Sequence, residues 1–144
     1  MYKKILVAFD NDEKSKNAIK AATEIAKYSK GEICLLTSVK LTSFVSAASP
    51  DMIKELEDES SKLFAGILKE HEDKIKKKGI KVSSVILNES PGRAITNYAE
   101  EEGFDLIVIG SANRGIVGRV FRGLGSVSNY VVQHATCNVL LIKN

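Results

Sequence analysis

The sequence predicts an α/β fold, an open and mostly parallel five-stranded sheet with helices on both faces. Three observations predict it. Five short runs are apolar at most positions, as strands covered on both faces must be; longer stretches between them carry apolar residues at three- and four-residue spacing; and the two kinds alternate along the chain. Strands joined through helices run parallel, and their crossovers are expected to be right-handed.

KKILVAFD, residues 3–10, is the first strand and stops at Asp10, where the polar DNDEKS begins. In SKNAIKAATEIAKYSKG the residues Ala18, Ile19, Ala22, Ile25 and Ala26 fall on one helical face, and Gly31 follows as a stop. EICLLTSV, residues 32–39, is the second strand. Residues 40–50 are rich in Ser and Ala without strong periodicity and read as a surface flap. From Asp51 to about Lys78 a long helix is marked by Ile53, Leu56, Leu63, Phe64, Ile67, His71 and Ile75, and Gly79 ends it. IKVSSVIL, residues 80–87, is the third strand. ESPGRAITNYAEEEG places Pro91 in a first helical turn and closes at Gly103. DLIVIGS, residues 105–111, is the most hydrophobic strand and is therefore expected at the sheet centre. SVSNYVVQHAT is the final helix, and NVLLIK, residues 138–143, the last strand.

A length of 144 residues suits one domain, expected over residues 1–144, and 44% hydrophobic content is enough to fill its core. The formal charge of +3 comes from 21 basic and 18 acidic residues interleaved along the helices, which argues against a nucleic-acid surface. The dense Lys74, Lys76, Lys77 and Lys78 read as a solvated helix end favoured by the helix dipole. No stretch approaches the roughly 20 apolar residues that span a bilayer. The opening MYKKILVAFD is too short and too soon acidic for a secretory signal, so a cytoplasmic protein with no membrane partner is expected. Cys34 and Cys137 lie in or beside apolar runs without metal-ligand spacing and read as ordinary buried thiols.

In open parallel sheets a ligand lies beyond the carboxyl ends of the strands, where the order reverses. Asp10, Val39 and Gly110 mark those ends. After the fourth strand, GSANRGIVGRVFRGLGS carries glycines at 110, 115, 118, 123 and 125, which let amide N–H groups approach an anion without an intervening side chain. Ser126 is placed to cap the final helix, with the N–H groups around Val127 and Ser128 directed at an anion. Two readings stand together here: a phosphate cradle, or turns followed by a self-capped helix. Neither a Walker A motif nor a GxGxxG fingerprint is present. Arg114, Arg119 and Arg122 either reach phosphate oxygens or face solvent, and Phe121 anchors the loop to the protein or to a partner. Asp10 either touches the ligand or accepts hydrogen bonds within the DNDEKS turn. Asp10, Asp12 and Glu13 are the acids placed to help hold Mg²⁺ through phosphates or water, although three acids in a turn are common. His71 and His134 have no companion nucleophile or carboxylate at suggestive spacing and read as packing or surface residues.

The chain resembles the universal stress protein family along its whole length. KILVAFD with Ser15 and Ala18 following, LLTSV, PGRAI leading to FDLIVIGS, and above all GLGSVSNYVVQHATCNVLLIK carry the resemblance. With it comes the expected Rossmann-like strand order 3-2-1-4-5. Nucleotide-binding members are marked by G-x2-G-x9-G followed by Ser or Thr. Gly115 and the pair Gly125-Ser126 match the second half, but Ala112 stands three residues before Gly115 and the first glycine is displaced to Gly110. That departure bears on the ribose and phosphate contacts rather than on the fold. By the same resemblance Asp10 lies against the adenosine, Ala8 and Phe9 supply the adjoining strand end, Val39 or Ser38 lies near the adenine, and Ser128 joins Ser126 at the phosphates.

The resulting expectation is an ATP-binding regulatory protein of the stress response, acting as a conformational or partner switch, with ATP and Mg²⁺ as cofactors. Two alternatives remain: slow or partner-stimulated ATP hydrolysis, although no residue is an evident base or nucleophile, and a nucleotide-free interaction domain. The apolar terminal strand 138–143 invites pairing with a second copy, and the resemblance implies the same homodimer.

Overall fold

A computed structural model describes residues 1–38, 49–111 and 126–143. The alternation read from the sequence is present in it as β1 (Lys4–Ala8), α1 (Glu13–Ser29), β2 (Glu32–Ser38), α2 (Pro50–Lys76), β3 (Val82–Leu87), α3 (Pro91–Glu101), β4 (Leu106–Gly110), α4 (Ser126–His134) and β5 (Asn138–Ile142). Every strand pairing is parallel, and the order is β3-β2-β1-β4-β5. The order turns at β1: the chain moves outward through β2 and β3, then crosses back to β4 and β5. β1 is therefore the middle strand, and the more hydrophobic β4 is its inner neighbour, because position follows from the winding as well as from hydropathy.

Alternation within β1 divides the core in two. Ile5, Val7 and Phe9 join Ala18, Ile19, Ala22 and Ala26 of α1 and Leu68 and Ile75 of α2 on one face. Leu6 and Ala8 join Ile95 and Ala99 of α3 and Val131 of α4 on the other. A fully buried aliphatic side chain of this kind contributes about 1.5–3 kcal/mol, and both faces of the inner strands collect it. This is why β1, β2 and β4 read as unbroken apolar runs.

Several boundaries differ from the sequence reading for identifiable reasons. β1 closes at Ala8; the Phe9 N–H still donates to the Leu36 carbonyl at 2.8 Å, but Asp10 lies past the strand in a turn. α1 begins two residues early because the Asp12 carboxylate caps it, accepting from the Ser15 N–H at 2.7 Å. Its last turn is closed by Lys30 in a left-handed conformation, φ 55°, rather than by Gly31. Gly31 answers a different demand, since a Cβ there would lie 2.4 Å from the Tyr2 carbonyl oxygen. The described part of α4 begins at Ser126, which is itself helical.

Candidate functional site

The site is built where the strands end. Beyond the carboxyl ends of β1, β2 and β4 lies a cavity of about 390 Å³, and the first turns of α1, α3 and α4 open into it. That convergence is a consequence of the winding: each crossover helix in a parallel sheet starts at the strands' carboxyl end. Helix N-termini carry partial positive charge and unsatisfied N–H groups, so three of them around one cavity favour an anion there. The volume falls within the range that holds small organic ligands.

Of the residues expected from the sequence, Ala8, Phe9, Asp10, Gly110, Ser126, Val127 and Ser128 line this cavity together. Val39, Gly115 and Gly125 lie outside the described residues, as do Ala112, Arg114, Arg119, Phe121 and Arg122 and most of the segment 40–50. Ser38, the alternative to Val39, is in the lining, with its hydroxyl donating to the Glu89 carbonyl at 2.7 Å. Sequence reasoning missed the apolar wall made by Leu36, Ile95 and Ile109 and the rim residues Pro91 and Ser111. Nothing local marks them; Ile95 looks like any core position of an amphipathic helix until the fold turns it toward the cavity.

The turn after β1 is held by its own acids. Asp10 Oδ1 accepts from the Asp12 N–H at 3.1 Å, and Asn11 takes a left-handed conformation, φ 68°, which asparagine tolerates. Ser15, buried beneath the turn, donates from its hydroxyl to the Asp12 carbonyl at 3.0 Å. Asp10 keeps an exposed surface, yet the cavity walls remove part of its water, and this loss raises its pKa above the usual carboxylate value. The neighbouring Asp12 carboxyl adds to the effect. Burial acts on Asp12 in the same upward sense, but the hydrogen bond from the Ser15 N–H, helped by the Asp10 and Ser15 side chains and the charge of Lys14, outweighs it and lowers the pKa. The pair therefore divides its labour: Asp12 stays ionised as a helix cap, and Asp10 faces the cavity as the more easily protonated group.

Gly110 is fixed by packing. A Cβ at this position would lie 2.7 Å from the Lys14 Cβ and 3.2 Å from its backbone carbon, so the end of β4 comes close to α1 only because the side chain is missing. Lys14 then reaches past it, and its ammonium donates to the Ser111 hydroxyl at 3.1 Å. On the far side of the cavity Ser128 is buried at 3% exposure, whereas Ser126 is exposed. The tight contact of α3 with α4 depends on Gly92, whose Cβ would meet the Tyr130 ring at 2.8 Å.

The two histidines are accounted for by packing. His71 meets Phe9 edge to face, with ring centroids 5.0 Å apart, and desolvation together with Lys74 and Lys16 lowers its pKa. His134 stacks on Tyr130 at 4.0 Å. Burial raises the pKa of the Cys34 and Cys137 thiols, and among the described residues no cluster of three metal-ligating side chains occurs. Among the same residues no helix is long and apolar enough to cross a membrane.

Comparison with known proteins agrees with this architecture. The model of the universal stress protein family matches residues 1–143. The universal stress protein YxiE of Bacillus subtilis is 36% identical over 151 aligned positions, covering 99% of this chain and all of that protein. The solved structure of the universal stress protein UspA from Lactobacillus plantarum superposes with a TM-score of 0.86 at 26% identity, over 99% of this chain and 98% of the other. A universal stress protein solved in complex with cAMP shares the fold at a TM-score of 0.71 and 24% identity, over 99% of this chain and 97% of its own. With a family match along nearly its whole length and a relative that it covers end to end, the chain belongs to the universal stress protein family.

Proposed function

We propose that this protein is an adenine-nucleotide-binding regulator of the stress response, a cytoplasmic switch whose conformation or partners change when ATP occupies the cavity beyond β1, β2 and β4. The observation that carries the reading is the meeting, around one cavity of about 390 Å³, of Asp10 with the first turn of α4 at Ser126, Val127 and Ser128. These groups are far apart in sequence and chemically complementary to a nucleoside phosphate. A carboxylate accepts from ribose or base donors, the helix start receives phosphate, and the apolar wall of Leu36, Ile95 and Ile109 suits a base. The cAMP complex of one structural neighbour supports the same ligand class. Gly115 and Gly125 would add backbone donors to the phosphates, and Val39 would lie beside the adenine. Magnesium, on this reading, enters with the phosphates and is helped by the carboxyl oxygens of Asp10 and Asp12.

Calorimetric titration with ATP tests it. Asp10→Ala should weaken binding at least tenfold, about 1.4 kcal/mol. Ser126→Asp is the sharper variant, because a carboxylate in the first turn of α4 favours the helix dipole while repelling phosphate. It should keep the parent's thermal stability and lose ATP. Undiminished affinity in both variants would remove this site.

The quaternary proposal is a homodimer through residues 138–143. Among the described residues β5 has β4 as its one strand neighbour, and Leu140 is exposed on it. The Ser111 N–H donates to the Ile142 carbonyl at 2.7 Å. Backbone groups alternate sides along a strand, so Ile142, Leu140 and Asn138 spend theirs on β4, and Val139 and Leu141 turn theirs to the open edge. Such an edge pairs with a second copy of itself.

A further inference from the structure

Lysines that the sequence scatters over four segments gather at the end of the sheet opposite the nucleotide cavity. A concave cavity of about 430 Å³ is bounded by Lys3 ahead of β1, Lys27 and Lys30 around the end of α1, Lys78 after α2 and Lys81 ahead of β3. Glu32, at the start of β2, is the one acid among the described residues of its lining. Five lysines and one glutamate leave a formal +4, against +3 for all 144 residues, so the remainder of the chain is close to neutral and the positive charge is concentrated here.

The ordinary explanation for lysines at helix ends is compensation of the helix dipole, and it accounts for only part of this cluster. Two helix C-termini contribute roughly −0.5 each, about −1 together, which leaves most of the +4 unbalanced. Lys3 and Lys81 moreover sit ahead of strands, not on helices. Internal pairing takes up some of the rest: Lys81 Nζ lies 3.0 Å from Glu32, Lys27 Nζ lies 3.4 Å from Glu24, and the Lys3 ammonium donates to the Ser29 carbonyl. The Lys30 and Lys78 ammoniums make no side-chain hydrogen bond or ion pair among the described residues.

Ligand chemistry follows from what the walls offer. The amides of Gly31, Lys78 and Gly79 are spent on the carbonyls of Ala26, Ile75 and Lys76, so the charge that recognises a ligand comes from the ammonium groups. Lysine acts as a point charge without the planar fork that selects carboxylates, and several point charges facing one space favour a compact anion of high charge density. The lysines surround a concavity instead of following a track, which suits a small ligand and not a duplex. We propose that this second cavity binds a small soluble polyphosphate, at a site separate from the nucleotide cavity.

The test is a titration of the full chain with inorganic tripolyphosphate, followed by backbone amide NMR. Amides of residues 30–32 and 78–81 should shift and saturate, and added salt should weaken the binding. The double variant Lys30→Asn, Lys78→Gln replaces two exposed side chains, and asparagine tolerates the left-handed conformation of Lys30. It should bind at least tenfold more weakly with an unchanged melting temperature. Shifts confined to residues 8–15 and 126–128 would assign the anion to the nucleotide cavity and overturn the proposal. So would the lack of saturation in the parent, equal affinity in a folded double variant, or tighter binding of a short DNA duplex to the same amides. Should the double variant fail to fold, the parent's shift map decides the matter alone.

Discussion

Asp10 and Asp12 stand two positions apart and are driven in opposite directions by their surroundings, with opposite consequences for stability. Folding raises the Asp10 pKa, so its ionised form costs stability above the folded value, and the cost vanishes below the unfolded value near 3.8. Asp10→Asn, which keeps the oxygen that accepts from the Asp12 N–H, should therefore raise the melting temperature slightly at neutral pH. The gain should stay below about 0.5 kcal/mol at so solvated a position and fade as the pH falls toward 3.8. Scanning calorimetry across that range checks it; a loss of stability at pH 7 would contradict it. Asp12 has the reverse sign. Its lowered pKa contributes stability above the unfolded value that is lost as the pH falls through the folded one. Asp12→Ala should cost about 1 kcal/mol in urea unfolding at neutral pH, as helix caps do, with the difference from the parent shrinking in acid. The sequence marked both acids as site candidates; what it did not reveal was which would cap and which would face the cavity. That assignment depends on the hydrogen bond from the Ser15 N–H and on the cavity wall, both tertiary facts.

At the scale of elements, two glycines make contrasting predictions. Gly110 ends β4 against α1, and its missing side chain is the space that Lys14 fills. Gly110→Ala should overpack that contact and cost about 1–3 kcal/mol, displacing with it the rim of the cavity beyond β1, β2 and β4. Gly66 lies in the interior of α2, where an added Cβ meets nothing within 4 Å. Gly66→Ala should instead stabilise the protein by about 0.5–1 kcal/mol through helix propensity. Urea unfolding of the two variants side by side separates close approach from mere conformational cost. The sequence places Gly110 at the expected strand end but gives no hint that α1 presses on it. The same limit explains α2. Most of its apolar positions were legible, yet Leu56 and Leu63 remain exposed while Ile75 is buried, and Leu68, which the sequence reading did not mark, is buried as well, because periodicity names a face without saying which part of it is covered.

For the molecule as a whole, the test concerns the open edge of β5. Val139→Pro removes an N–H that alternation turns away from β4, and Leu140→Lys places a charge on the exposed face of the same strand. Neither change removes a hydrogen bond to β4 by this register. Light scattering at micromolar concentration should find a dimer for the parent and a monomer for a folded double variant. A monomeric parent, or a dimer indifferent to both substitutions, would place any interface elsewhere.

The sequence by itself determined the alternation of strands and helices, because covered parallel strands must be apolar throughout and crossover helices must be amphipathic, and both patterns are local. It also singled out the end of β1 and the start of α4, although glycine, serine and aspartate there serve turns and caps as readily as a ligand, and the structure brings the two places to one cavity. Only the tertiary structure decided that the sheet turns at β1, that Leu36, Ile95 and Ile109 wall one cavity, and that five lysines drawn from four segments ring another. These features are contacts between segments distant along the chain. Their identity depends on which strands become neighbours, and periodicity within a segment carries no information about that.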